Sequence, residues 1–161
     1  MESRQDNEEG SPAKEEDAMK KLGDQYTLRG QIPVNIGNTR IQLFDGRFDT
    51  GYRIEKLDIV GQLPLNQIEF QMILSTTELD SIDQMNFQDN TQIGWAVWGA
   101  PIRQTNSWGE VDPDNLIIED LFISCRGSED NSFCNYMITM QKYDIDEWQG
   151  ALGMVRNRSQ T

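Results

Sequence analysis

Residues 115–145 read NLIIEDLFISCRGSEDNSFCNYMITMQKYDI, and this stretch decides the fold. Two apolar runs, residues 116–124 and 133–143, flank a loop of turn-forming residues at 126–132. The second run alternates apolar and polar side chains, which is the period of a half-buried strand. Apolar runs of strand length on either side of a turn-forming loop predict a β-hairpin. We therefore expect this hairpin to form the core of a β-rich domain.

Similar patterns recur on both sides of this stretch. Pro33 limits the first predicted strand to a sheet edge, and a shift of apolar phase near Glu55-Lys56 predicts a bulge. Residues 75–91 are polar and form either a long loop or a loop with one helical turn, and residues 99–114 are an irregular loop. The strands predicted outside the hairpin are residues 26–36, 39–44, 52–60, 68–74, 92–98 and 150–155.

About eight strands without an ordinary helix or a βαβ alternation predict an all-β protein. We expect an antiparallel β-sandwich that is jelly-roll-like. Residues 1–25 are acidic and poor in large apolar side chains, so they form a predicted flexible tail. Residues 26–161 form the predicted sandwich domain.

The composition disfavours several classes of function. The formal net charge is −13, which opposes direct binding of nucleic acid. The chain has no histidine, the commonest general base and metal ligand, so neither a cofactor nor a metal site is expected. No stretch has the roughly 18–20 consecutive apolar residues of a membrane-spanning helix, and the polar N-terminus is unlike a signal peptide.

Asp49-Thr50-Gly51 is the sharpest chemical motif. The triplet resembles the active-site triplet of aspartic proteases, in which two carboxyl groups about 3 Å apart share a proton. One triplet per chain would require a dimer, as in the retroviral-type enzymes. The residues before and after the triplet differ from the family pattern, which favours a glycine-containing loop.

Other residues admit a functional and a structural interpretation. Cys125 and Cys134 form either a disulfide or, as we expect without a signal peptide, a reduced buried pair. An acidic run could bind calcium or form a solvated loop, and its spacing fits no EF-hand. The run consists of Glu110, Asp112, Asp114, Glu119 and Asp120.

The tryptophans could anchor an interface or a sugar. Trp95 is expected in the core. Trp98, Trp108 and Trp148 lie near predicted loops, so we expect one or two of them to be exposed.

Three segments carry a resemblance to a known group of proteins. They are Ile93-Gly94-Trp95, the sequence DPDNLIIEDL at 112–121 and the sequence GALGMVRNR at 150–158. These segments resemble short β-rich proteins of environmental, mainly marine, bacteriophages, and the likeness spans residues 31–160. The resemblance implies a virion structural role, such as a jelly-roll capsid, vertex or decoration protein, and carries over no individual functional residue.

The sequence and this resemblance together predict a non-enzymatic virion structural protein, made in the host cytoplasm. Its expected partners are other copies of itself, in a homo-oligomer, or a major capsid protein, or both, with neither direct nucleic acid nor membrane. Because a genome-lining arm would be basic, the acidic tail favours an outward-facing or shell-cementing position. An exposed Lys/Arg patch able to dock nucleic acid would contradict that position. Two alternatives stay open: an aspartic protease that uses Asp49, and a lectin-like binding module that uses Trp98 or Trp108.

Overall fold

A computed structural model describes residues 20–44, 46–47, 49–99 and 106–145. These residues contain nine strands and no helix. The strands are β1 (Lys20–Lys21), β2 (Tyr26–Pro33), β3 (Asn38–Gln42), β4 (Thr50–Gly61), β5 (Glu69–Ser75), β6 (Gln92–Gly99), β7 (Asn106–Val111), β8 (Asp120–Gly127) and β9 (Phe133–Asp144). All pairings between the strands are antiparallel. The predicted all-β, antiparallel, sandwich-like architecture is therefore confirmed.

The strands form a four-stranded and a five-stranded sheet. In the four-stranded sheet the long β9 is central, with β4 along one side and β1 and β2 in succession along the other. The predicted bulge in β4 is confirmed, because its register against β9 shifts between Ile54 and Lys56. The five-stranded sheet has the order β3-β8-β5-β6-β7.

The predicted hairpin is wrong, because its two strands lie in different sheets. β8 pairs with β3 and β5, whereas β9 pairs with β2 and β4. The apolar positions of the two strands face each other across one core, and the intervening residues 128–132 cross between the sheets. Asn35 fastens this crossing, since its side chain bonds both backbone groups of Gly127 and the Asp130 carboxylate. Alternation identifies a strand and its buried face, but not its partner.

The prediction of an irregular loop at 99–114 is also wrong, because this segment contains β7. This strand is short and largely exposed, and its neighbour in the ladder is β6. β7 also lies against β4, because Gly109 leaves space for the backbone carbonyl of Leu57. A strand at a sheet edge with few apolar side chains carries little alternation, so the sequence pattern did not reveal it.

The pairing of the eight longer strands is nested. β2 pairs with β9, β3 pairs with β8, β4 lies against β7, and β5 pairs with β6. The chain therefore resembles a long antiparallel hairpin whose turn is the β5–β6 connection. This hairpin folds on itself, so that β4 also pairs with β9 and β5 also pairs with β8. Apolar side chains from both sheets fill the space between them, including Leu57, Met72, Ile123 and Ile138.

Residues 76–91 form a long loop without a helical turn, which was one of the two predicted alternatives. We call this loop the strap. It crosses the outer face of the five-stranded sheet, where the backbone of Leu79 exchanges two hydrogen bonds with the Asn38 side chain. Phe87 packs edge-on against Trp95 at 4.6 Å between ring centroids. The strap thus covers the outward-facing Trp95, which is buried.

Two predicted segments fall partly or wholly outside the described residues. Residues 1–19 of the predicted tail and the predicted strand at 150–155 are not described. Within the remainder of the predicted tail, Lys20–Lys21 form β1 against β9. The Gln25 side chain then donates a hydrogen bond to Glu55 of β4, so residues 20–25 contact the sandwich.

Candidate functional site

Asp49 lies immediately before β4 and is held by an arginine. Arg47 Nε donates to Oδ1 at 2.9 Å and Arg47 Nη2 donates to Oδ2 at 2.7 Å. This hydrogen bonding, together with the positive charge of Arg47, lowers the pKa of the Asp49 carboxyl. The carboxylate is therefore ionised and bound to a cation, whereas the protease chemistry needs a proton shared with a second carboxyl group.

The acidic run does not converge on one point. Asp120 accepts from Arg40 in an ion pair of 2.7 Å, and Asp112 accepts a hydrogen bond from the backbone of Asp114. Within the described part of the chain, no three Asp, Glu, Cys or His side chains form a group that could hold a metal ion. Instead, Asp120 of this run forms an ion pair and Asp112 stabilises a turn.

The two cysteines face each other across the core. Cys125 projects from β8 and Cys134 from β9, both are buried, and both thiols are free. A hydrogen bond with Cys134, followed by burial, raises the pKa of the Cys125 thiol. A neutral buried thiol is a poor nucleophile, so this pair acts as core packing.

The tryptophans divide between the core and the surface. Trp95 is buried, as the sequence indicates. Of the three tryptophans near predicted loops, Trp98 is buried, because it packs against Phe70 in the core with ring centroids 5.8 Å apart. Trp108 is 41% exposed. Trp148 lies outside the described residues, so a lectin-like site would have Trp108 as its exposed ring in the described part of the chain.

The outer face of the four-stranded sheet is a broad exposed surface, which we call the open face. Alternate residues of β2, β4 and β9 point away from the core and form cross-strand rows. One row consists of Arg29, Met137 and Asp58, and the next row includes Val60. The open face is made of Thr27, Arg29, Gln31, Arg53, Glu55, Lys56, Asp58, Val60, Phe133, Asn135, Met137 and Thr139.

The open face exposes unusually large apolar side chains for a polar surface. Val60 is 45% exposed, Met137 is 43% exposed and Phe133 is 38% exposed. A side-chain hydrogen bond of 3.1 Å joins Gln31 to Asn135 between the strands. Exposed apolar side chains that are rimmed by polar ones are typical of protein interaction surfaces.

The charge of the open face is opposite to that of the chain. Three cations, Arg29, Arg53 and Lys56, share the face with two carboxylates, Glu55 and Asp58, whereas the whole chain carries −13. Lys56 pairs with Asp58 at 3.3 Å. The cations are few and Met137 and Val60 lie among them, so the face differs from the continuous Lys/Arg stripe that docks a phosphate backbone.

The strap presents a second, acidic surface on the other side of the sandwich. Residues 76–91 contain Glu78, Asp80, Asp83 and Asp89 and neither Lys nor Arg. Glu78 and Asp80 are exposed on either side of Leu79, and Phe87, further along the strap, is 68% exposed. Asp83 pairs with Arg126 of β8 at 2.9 Å, which fixes the middle of the strap to the sheet.

A cleft of about 440 Å³ opens beside the strap on the five-stranded sheet. Glu69 and Gln71 of β5, Val97 of β6 and Arg126 of β8 line it, and Ser128 closes one end by bonding the backbone of Glu69. Its lining mixes both charges, with the cation Arg126 already paired to the strap. The cleft therefore extends the polar surface of the strap.

Neither of the two faces was identified from the sequence. Their residues come from strands that are distant along the chain, so the rows exist only after β2, β4 and β9 have paired. The sequence does contain one sign of the open face: Met137 and Val60 are apolar residues at positions where the alternation of their strands calls for polar ones.

Comparison with known proteins leaves the family open. No family model matches the chain, and no curated protein or solved structure matches it significantly. Among the described residues, no helix is long and apolar enough to cross a membrane.

Proposed function

We propose that this chain is a non-enzymatic virion structural protein with a jelly-roll fold. It would serve as a capsid, vertex or capsid-decorating protein of a bacteriophage and act by binding other copies of itself or a viral shell. This proposal joins the resemblance to phage structural proteins with the arrangement of the strands.

The nested strand pairing carries the proposal. A jelly roll contains eight antiparallel strands in two sheets that are linked by Greek-key connections. Here the first of the eight longer strands pairs with the last, the second with the seventh and the fourth with the fifth, while the third lies against the sixth. The strands from β2 to β5 alternate between the two sheets, β5 to β8 all belong to the five-stranded sheet, and β9 returns to the four-stranded sheet. Jelly rolls recur in viral shells.

The open face supports the assembly part of the proposal. A surface that combines exposed Met137, Val60 and Phe133 with cations is suited to burial against another protein. In a shell, repeated copies can cover such a face continuously, because symmetry presents the same surface many times.

The test is the mass of the purified full-length chain in solution, measured by light scattering coupled to size exclusion over a range of concentrations. We expect an oligomer or a shell-sized particle, which negative-stain microscopy would image. A monomer of 18.5 kDa at every concentration would overturn self-assembly. Co-sedimentation with phage shells that lack the protein then tests the decorating role, and its failure would overturn the proposal.

A further inference from the structure

We propose that the open face of one copy docks onto the strap of a second copy, so that the protein assembles head to tail. This inference rests on the proposed function, because it names the partner and the surfaces of the self-assembly. The molecule that covers the open face is thus a second copy of this chain.

Charge complementarity is the first argument. The open face has three cations and two carboxylates, whereas the strap has four carboxylates and no cation. Two of the cations, Arg29 and Lys56, are exposed, as are Glu78 and Asp80 of the strap. Opposite potentials speed the encounter of two surfaces and fix their orientation. Two copies that met through equal faces would instead bring like charges together.

Apolar complementarity is the second argument. Phe87 projects from the strap with 68% of its surface exposed. On the open face, Met137 is 43% exposed and Val60 is 45% exposed. A large aromatic ring that packs between flexible and β-branched side chains, inside a rim of opposite charges, is the usual composition of an interface centre. The charged rim excludes water from the apolar contact.

The positions of the faces determine the kind of assembly. The open face is the outer surface of the four-stranded sheet, whereas the strap covers the outer surface of the five-stranded sheet. The two surfaces therefore lie on opposite sides of the core. A contact between them is heterologous, so each added copy leaves a new free face, and the assembly closes as a ring or continues as a stack. A twofold dimer cannot use it.

The experiment exchanges charges between the two surfaces. The open-face variant carries Arg29→Glu and Lys56→Glu, and the strap variant carries Glu78→Lys and Asp80→Lys. We expect each variant alone to self-associate about tenfold more weakly than the wild type or worse, because like charges then meet. An equimolar mixture of the variants should recover the association, because every contact in an alternating assembly is again between opposite charges.

The controls are the same charge changes at exposed positions outside both surfaces. Lys20→Glu in β1 and Glu129→Lys in the crossing between β8 and β9 should leave association within about twofold of the wild type. Circular dichroism and thermal unfolding confirm that each variant is folded. Sedimentation velocity measures the association, and raising NaCl from about 0.05 M to about 0.5 M should weaken it in the wild type.

Each remaining outcome counts against the inference in a different way. A wild type that is monomeric overturns both this inference and self-assembly. An oligomer that neither variant weakens overturns the inference and retains self-assembly. Sensitivity to the open-face variant alone assigns another occupant, either a different acidic segment or nucleic acid. Fluorescence anisotropy with a labelled single strand of about 20 nucleotides, longer than the roughly 4–16 nucleotides that one single-strand-binding domain covers, identifies the latter.

Discussion

At the residue scale, the side chain of Asn115 forms hydrogen bonds with the backbone of β4 beside its bulge, as a neighbouring strand would. Its Oδ1 accepts from the backbone N–H of Ile54 at 2.8 Å, and its Nδ2 donates to the Ile54 carbonyl at 2.9 Å. A further bond of 2.5 Å joins Nδ2 to the Asp112 carbonyl. The side chain is buried, so water cannot take over these bonds.

We therefore expect Asn115→Ala to lower the free energy of unfolding by about 2–4 kcal/mol, since it leaves buried backbone groups unpaired. Urea denaturation followed by tryptophan fluorescence measures the change. The matched control is Asn135→Ala, which removes an exposed hydrogen bond to Gln31 and should cost below about 1 kcal/mol. Equal losses in the two variants would contradict this role for Asn115.

Cys125 gives the protein a dependence on alkaline pH. Its hydrogen bond with Cys134 and its burial raise the pKa of the thiol in the folded state above the unfolded value of about 8.5. The folded state then keeps a proton that the unfolded state releases, so the contribution of this thiol to stability is complete at lower pH. It is lost progressively as the pH rises above about 8.5.

The prediction is a difference in slope between the wild type and Cys125→Ala. Between about pH 8.5 and about pH 10, the free energy of unfolding of the wild type should fall more steeply, by up to about 1.4 kcal/mol per pH unit. Urea titrations in a reducing buffer at several pH values measure both slopes. Tyr136, whose pKa is also raised by burial, is present in both proteins. Parallel curves would show that Cys125 ionises as readily in the folded chain as in the unfolded one.

At the element scale, the contact of β7 with β4 depends on a missing side chain. A Cβ at Gly109 would collide with the backbone carbonyl oxygen of Leu57, which cannot turn aside. We expect Gly109→Ala to lower the free energy of unfolding by about 1–3 kcal/mol or more, as overpacking does. Gly99→Ala in β6 is the control, since its nearest atom is Glu69 Cγ at 3.5 Å. A thermal melt of Gly109→Ala that matches Gly99→Ala would contradict the close contact.

Local pattern predicted those elements whose alternation is strong. β5 alternates as expected at Phe70 and Met72, and the phase shift in β4 gave the bulge next to Ile54, because burial of one face imposes period two on the chain. Local pattern did not predict β7, because hydrogen bonds to β6, and not an alternation of apolar side chains, hold this strand. Local pattern also failed for the partners of β8 and β9, because a turn-rich connection suits a crossing between sheets as well as a hairpin.

The sequence pattern did not predict the open face or the surface of the strap, for a related reason. Arg29 and Asp58 are separated along the chain and become neighbours only through Met137 of β9. The sequence identifies the strap as a polar segment, but its position over the sheet depends on contacts such as that of Asp83 with Arg126. Surfaces assembled from several strands require the pairing, which local periodicity does not contain.

At the scale of the whole molecule, the nested pairing makes the first strands dependent on the last. Gln31 bonds Asn135, 104 positions along the chain, and β3 and β4 likewise pair with β8 and β9. Closing such long loops costs entropy before the ladders form, so folding dominated by distant contacts is slow. We expect stopped-flow refolding on the scale of about milliseconds to seconds or slower. Complete refolding within microseconds would contradict the long-range order of the ladders.

The same dependence predicts the behaviour of two fragments, residues 1–114 and 115–161. The first fragment lacks the partners of β2 and β3 and the ladder partner of β4, and keeps only the ladders among β5, β6 and β7 within the described residues. It should show a poorly dispersed amide NMR spectrum and no cooperative melt. Mixing the two fragments should restore dispersion, because every ladder then has both strands again. A first fragment that melts cooperatively alone would show that the four-stranded sheet is not needed to hold β5–β7, and that the long folded hairpin is not one folding unit.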